Sequence, residues 1–290
     1  MIVSASYRTD IPAFYAAWFV RRLAAGEAWV TNPYGGKPYR VSLAPDDVDG
    51  FVFWTRNIAP FRDALAAVEA MRRPYVVQYT VTGYPSALEA GVPPAGHAVA
   101  QIRELAARRG RAGTVWRYDP ILFTSLTPPD WHRAAFARIA DALAAAVDEV
   151  TVSFATIYRK SARNLRLAAA RHGFDWPEPT ADEQRAFLAD LALIAADRGL
   201  RLTVCSQPHL EQPGVAGAAC VDADRLSRIA GHAIRARTKG NRPGCLCAES
   251  RDIGAYDTCA HGCAYCYAVR DHERARQTVR RHDPLAERLG

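Results

Sequence analysis

Six short apolar segments, each rich in β-branched or aromatic residues, alternate with helical patterns along the first 205 residues of this chain. They cover residues 2–6, 51–54, 75–82, 114–118, 149–154 and 200–205, and each reads as a buried strand. Helical patterns fall at 12–25, 59–72, 96–109, 131–146, 180–198 and 221–237. A helix after nearly every strand implies parallel strands joined by right-handed crossovers. The fold class expected is therefore α/β, and a (βα)6-type partial barrel, TIM-like, is preferred over a doubly wound sheet. The reason is that polar residues gather just after nearly every strand, where both folds place their sites. A small hairpin is expected from 28–31 and 39–43 around Tyr34-Gly35-Gly36. Two units are expected: a βα barrel domain at 1–237, and a cysteine-rich segment at 238–290 packed on the barrel mouth.

The residues behind those strand ends define a candidate rim. They include Arg8 and Asp10 after the first strand, Arg56 after the second, Arg117-Tyr118-Asp119 at the fourth and Arg159 after the fifth. Each cluster taken alone reads as a helix cap or a turn, and Asp10 in particular is placed to cap a helix starting at Pro12. On one barrel rim, Arg8, Arg56, Arg117 and Arg159 line a cationic mouth suited to carboxylate or phosphate. Asp10, Tyr118 and Asp119 are then the candidates for proton handling.

Net charge points weakly the same way. The formal charge is +7, and 34 arginines stand against three lysines. Such a balance suits anionic partners, a small molecule or nucleic acid, but also matches the arginine- and alanine-rich surface of a GC-rich coding sequence. No apolar run approaches the roughly 20 residues that span a bilayer. Arg8 and Asp10 interrupt the start before a signal-length apolar core forms, so a cytoplasmic location is expected.

Cysteine placement is the sharpest chemical signal. All seven cysteines lie between Cys205 and Cys266, an odd number in a tight cluster, which argues for metal or redox chemistry over a disulfide framework. Cys259, Cys263 and Cys266 are spaced C-x3-C-x2-C with Tyr265 just before the last. Three thiolates on one loop suit three irons of a [4Fe–4S] cluster, with the fourth iron left open. Cys205, Cys220, Cys245 and Cys247 remain, enough for a second cluster or a tetrahedral zinc site, or for a fourth ligand to the first cluster. Cys205 and Cys220 also read as small buried thiols without function. Zinc is the alternative for the whole set, with His261, inside the loop, a candidate ligand that is nonetheless expected to face solvent or the backbone.

The loop resembles the cluster-binding loop of radical S-adenosylmethionine (SAM) enzymes, and HGCAYCYA is especially similar to the spore photoproduct lyase branch. The resemblance implies cluster ligation by Cys259, Cys263 and Cys266, with Tyr265 as the flanking aromatic, and SAM as a cofactor. Two features depart from that pattern. The loop lies near the carboxyl end rather than after the first strand, and no Gly-Gly-Glu-like segment follows a strand. Nearly the whole chain resembles one uncharacterised bacterial family, domain of unknown function 1848. The stretches SASYRTDIPAFY, FWTRN, QYTVTGY and CLCAESRDIGAYDTCAHGCAYCYA, with HDP at 282–284, carry that resemblance.

Two functions are compatible with these features. The first is a [4Fe–4S] enzyme, radical SAM-like or otherwise redox-active, served by an electron donor and acting on an anionic substrate at the mouth. The second is a binding protein with structural zinc or a fully ligated cluster, whose cations Arg235, Arg237, Lys239 and Arg242 contact nucleic acid.

Overall fold

The computed structural model describes residues 1–32 and 35–290. The chain opens with β1 (Ile2–Ala5), α1 (Ile11–Phe14), α2 (Ala16–Ala25) and the strands β2 (Glu27–Val30) and β3 (Tyr39–Ser42). It continues through β4 (Gly50–Thr55), α3 (Arg62–Ala70), β5 (Tyr75–Thr80), α4 (Ala95–Arg109) and β6 (Thr114–Ile121). Then come α5 (Pro129–Leu143), β7 (Glu149–Phe154), α6 (Arg159–His172), α7 (Ala181–Ala196) and β8 (Arg201–Val204). The last elements are β9 (Ala216–Gly217), α8 (Ala223–Ala230), β10 (Ser250–Asp252) and α9 (His272–Arg281).

Eight strands form one parallel sheet in the order β10-β1-β4-β5-β6-β7-β8-β9, while β2 and β3 pair antiparallel beside it. The architecture is mixed α/β, a large parallel sheet flanked by helices. Among the described residues its hydrogen-bond ladder does not close into a barrel, because β10 pairs only with β1 and β9 only with β8. The two margins approach through loops instead: Ala248 N–H donates to Val221 O at 2.9 Å, and Val221 N–H reaches Cys247 Sγ at 3.3 Å.

Strand side chains alternate between two faces. Val3, Phe51, Phe53, Val77, Trp116, Tyr118 and Val152 point toward the helices and form the main core. Their neighbours Ile2, Val52, Val76 and Val115 pack on the opposite face against Leu226 of α8. Arg225 fixes α8 beneath the strands' amino ends: its buried guanidinium meets Asp148 at 2.8 Å and Glu149 at 2.7 Å, and donates to Ala112 O at 3.0 Å. Toward the carboxyl ends the same face turns polar and becomes the wall of a cavity.

Several expectations need adjustment. The single helix expected over 12–25 is broken at Tyr15, whose φ of −133° is non-helical and whose hydroxyl donates to Thr258 O at 2.6 Å. Helix α6 escapes the periodicity reading because it buries little beyond Ser161, Asn164 and Leu165. The helix expected over 221–237 stops at Gly231, which takes the left-handed conformation (φ 73°) that terminates helices at little cost to glycine. The last helix starts at His272 rather than near Tyr265, capped by the Asp271 side chain. Residues 238–290, expected to lie on the mouth, also place β10 within the sheet. Of the hairpin expectation, Tyr34 lies outside the described residues.

Candidate functional site

The carboxyl ends of the strands and the cysteine loops enclose a cavity of about 1080 Å³. Its wall includes Arg8, Asp10, Arg56, Arg117, Asp119 and Arg159. All seven cysteines border it as well. Tyr118 does not: it sits one residue out of phase with Arg117 and Asp119, so its side chain enters the helix-facing core. There its hydroxyl lies 2.7 Å from His132 Nδ1. The expectation that Tyr118 handles protons at the mouth is therefore corrected by strand parity.

The rim arginines are not equivalent. Arg8 is buried, with Nε 2.9 Å from Asp252 Oδ1 and a second bond to Asp252 O. Asp252 also accepts from Ser4, Ser6, Tyr7 N–H and Gly254 N–H, and so anchors β10 to β1. Arg56 meets Glu89 at 2.8 Å and donates to Tyr265 Oη at 2.7 Å. Arg117 pairs with Asp119, donates to Gln78 Oε1, and places a guanidinium nitrogen 3.0 Å from Cys220 Sγ. Three of the four arginines expected to grip substrate thus have carboxylate partners within the chain. Arg159 is exposed and forms no ion pair among the described residues, and Lys160, Arg270 and Arg288 join it on the cavity wall. Two of these open cations, Arg159 and Lys160, stand at a strand end, and two, Arg270 and Arg288, come from the carboxyl-terminal segment that strand-end inspection does not reach.

Asp119 retains its place in the cavity, held between Arg117 and the Ser153 hydroxyl. Asp10 is more constrained. One oxygen caps α1 through Ala13 N–H at 2.9 Å; the other accepts from Arg56 N–H at 2.8 Å and lies 2.7 Å from His261 Nε2. It fills the capping role as well as tying the cysteine loop to the first strand–helix turn. His261 is buried, with Nδ1 at Gly91 O and its ring against Phe14, so it does not face solvent.

Backbone bonds shape the Cys259–Cys266 loop. Cys266 N–H donates to Cys263 O, Ala264 N–H to Leu88 O, and Gly91 N–H to His261 O, at 2.8–3.0 Å. Tyr265 hydrogen-bonds Glu89 and Arg56 at once. Burial, opposed by the nearby Arg56 charge, raises the Cys263 thiol well above its ordinary range. Burial likewise pushes Cys259 up to about 12, with the Asp10 charge adding to the effect. In the metal-free chain these groups are thiols, and metal binding would displace their protons.

A second cysteine group lies across the cavity, at the seam between the sheet margins. Cys220 and Cys205 sulfurs are 3.5 Å apart. Cys220 also hydrogen-bonds Cys247, and Cys247 hydrogen-bonds Cys245. The bond from Cys247 is the main cause holding Cys245 down to about 5. Among the described residues, no group of three or more His, Cys, Asp or Glu side chains is arranged to hold a single metal ion. Arg237 and Lys239, expected to contact nucleic acid, both engage Glu249, and Arg242 turns inward to Cys205. No helix is long and apolar enough to cross a membrane among the described residues.

The family model described as "Domain of unknown function (DUF1848)" matches residues 2–268. No curated protein matches the chain. Among solved structures, the chain is similar to a putative alpha-L-fucosidase from Bacteroides thetaiotaomicron at 9% identity and a TM-score of 0.26, covering 82% of this chain and 85% of that one.

Proposed function

The chain belongs to the DUF1848 family, and we propose that it is an iron–sulfur enzyme with a [4Fe–4S] cluster on Cys259, Cys263 and Cys266. Its substrate is an anion held in the adjoining cavity. One observation carries this reading: the C-x3-C-x2-C loop and the polar strand ends, far apart in sequence, face a single cavity of about 1080 Å³. The donor set fits a cluster better than one ion. A zinc ion draws its thiolates to within about 3.8 Å of each other, from Zn–S bonds of ~2.3 Å. A cluster lets each thiolate hold its own iron, which is what the C-x3-C-x2-C spacing of Cys259, Cys263 and Cys266 suits. When bound, such a cluster supplies one-electron reduction and leaves its fourth iron to a small molecule, SAM or the substrate itself.

The chain's own residues do the rest. Arg56 provides positive charge beside Cys259 and Cys263 while Glu89 and Tyr265 hold its guanidinium in place. Arg159, Lys160, Arg270 and Arg288 attract and orient an anionic group at the mouth. Asp119, with Ser153 on one oxygen and Arg117 on the other, is the carboxylate positioned to exchange a proton with bound substrate. The test is iron and acid-labile sulfide per chain in anaerobically purified wild type and Cys263→Ala. A loss of about four irons and four sulfides in the variant supports the reading. Unchanged content, or zinc without sulfide, refutes it.

A further inference from the structure

We propose that Cys205, Cys220, Cys245 and Cys247 bind a second [4Fe–4S] cluster, which closes the seam that the strand ladder leaves open. The four cysteines come from three places in the sheet order. Cys205 directly follows β8, Cys220 follows β9, and Cys245 and Cys247 lead into β10 at the opposite margin. Among the described residues there is no ladder between β9 and β10, and the two margins are joined by Ala248 N–H to Val221 O and Val221 N–H to Cys247 Sγ. The sulfurs stand in that gap, with Cys205 and Cys220 3.5 Å apart and Cys247 Sγ accepting from Val221 N–H at 3.3 Å. None is in a disulfide.

Three further features fit this ligand set. Two guanidinium groups approach the sulfurs, Arg117 at 3.0 Å from Cys220 Sγ and Arg242 at 3.6 Å from Cys205 Sγ, as a dianionic tetrathiolate cluster requires for charge balance. The loop before β10 is packed so closely that a Cβ on Gly240 would lie 2.4 Å from Cys245 O, so the chain passes Cys245 at a position that only glycine fills. Apolar Val52, Val76, Val115 and Ile234 surround the sulfurs' inner side, and the outer side opens on the cavity that Cys259, Cys263 and Cys266 also border. The 3.5 Å between the Cys205 and Cys220 sulfurs also suits a single zinc ion; the separation of Cys245 and Cys247 by one residue, where zinc knuckles use two to four, favours the cluster.

This site is separate from the loop cysteines, and the experiment distinguishes the two. Full-length wild type, Cys247→Ser, Cys263→Ser and the double variant are reconstituted anaerobically with iron and sulfide, and metal and labile sulfide are counted. About eight irons in wild type, about four in each single variant and none in the double are expected. Full iron in Cys247→Ser with loss in Cys263→Ser overturns the second site and leaves the loop cluster standing. The reverse result retains the second site and overturns the loop cluster. One zinc per chain lost with Cys247 overturns the cluster assignment. If Cys247→Ser fails to fold, alkylation of the reconstituted wild type decides: Cys205, Cys220, Cys245 and Cys247 are expected to resist labelling until a chelator is added, and prompt labelling of all four overturns the proposal.

Discussion

His261 Nε2 lies 2.7 Å from Asp10 Oδ2, which ties the middle of the cysteine loop to the turn after the first strand. The pair is buried, and the same Asp10 carboxylate also caps α1 and accepts the Arg56 amide. Loop geometry therefore depends on a residue some 250 positions away in sequence. Asp10→Ala is expected to cost about 1 kcal/mol for the lost cap and a further 1–3 kcal/mol for the donors left buried. Chemical denaturation measures this. His261→Ala is expected to retain the cap but to lose iron faster to a chelator.

The Arg56–Glu89 pair is a more severe test of packing. Both side chains are largely buried, and Thr82 and Tyr265 also bond Glu89. Removing one member of a buried pair typically costs 3–5 kcal/mol, because the other charge stays desolvated. Glu89→Gln is expected to destabilise by roughly that amount in urea titration and to lower iron retention. A change below about 0.5 kcal/mol, typical of surface sites, would show that the pair does not hold the loop.

Tyr118 and His132 give a prediction about pH. Burial lowers His132 from an ordinary value near 6.5 to about 4, partly offset by its bond to Leu122 O. The folded chain thus resists protonation that the unfolded chain accepts. Stability from this residue is complete above pH 6.5 and is lost as pH falls toward 4, amounting to roughly 3 kcal/mol. Measured as the difference between wild type and His132→Gln, the stability gap should narrow across that interval, and a flat difference would contradict the assignment. Tyr118→Phe is expected to cost about 1 kcal/mol and leave turnover unchanged, since the hydroxyl does not border the cavity.

The mouth cations separate binding from folding. Arg159→Ala and Arg270→Ala remove exposed charges and are expected to change stability by less than about 0.5 kcal/mol. Each should weaken binding of an anion such as inorganic phosphate roughly tenfold, equivalent to ~1.4 kcal/mol. Arg8→Ala should do the opposite, destabilising strongly because Asp252 is left buried without its partner. Calorimetric titration and thermal melts of the three variants decide this.

Much of this arrangement was legible in the residues. Six of the eight sheet strands are long enough to show apolar runs; β9 and β10 have two and three residues and show none. Strand parity was also readable: choosing Arg117 and Asp119 for one face excludes Tyr118 from it. The pairing of Arg8 with Asp252 and of Arg56 with Glu89 was not readable, because each partner is brought in by a distant segment. The same holds for the seam cysteines, since their meeting depends on sheet order, which sequence spacing does not encode.

If the Cys259–Cys263–Cys266 loop carries an iron–sulfur cluster open to the cavity, as proposed, low-temperature EPR of the dithionite-reduced Cys247→Ser protein, with and without SAM, detects that cluster alone. A cluster signal that changes on adding SAM or an anionic substrate is the result expected. A silent spectrum from fully reduced, folded protein, with no sulfide on analysis, would contradict the proposal.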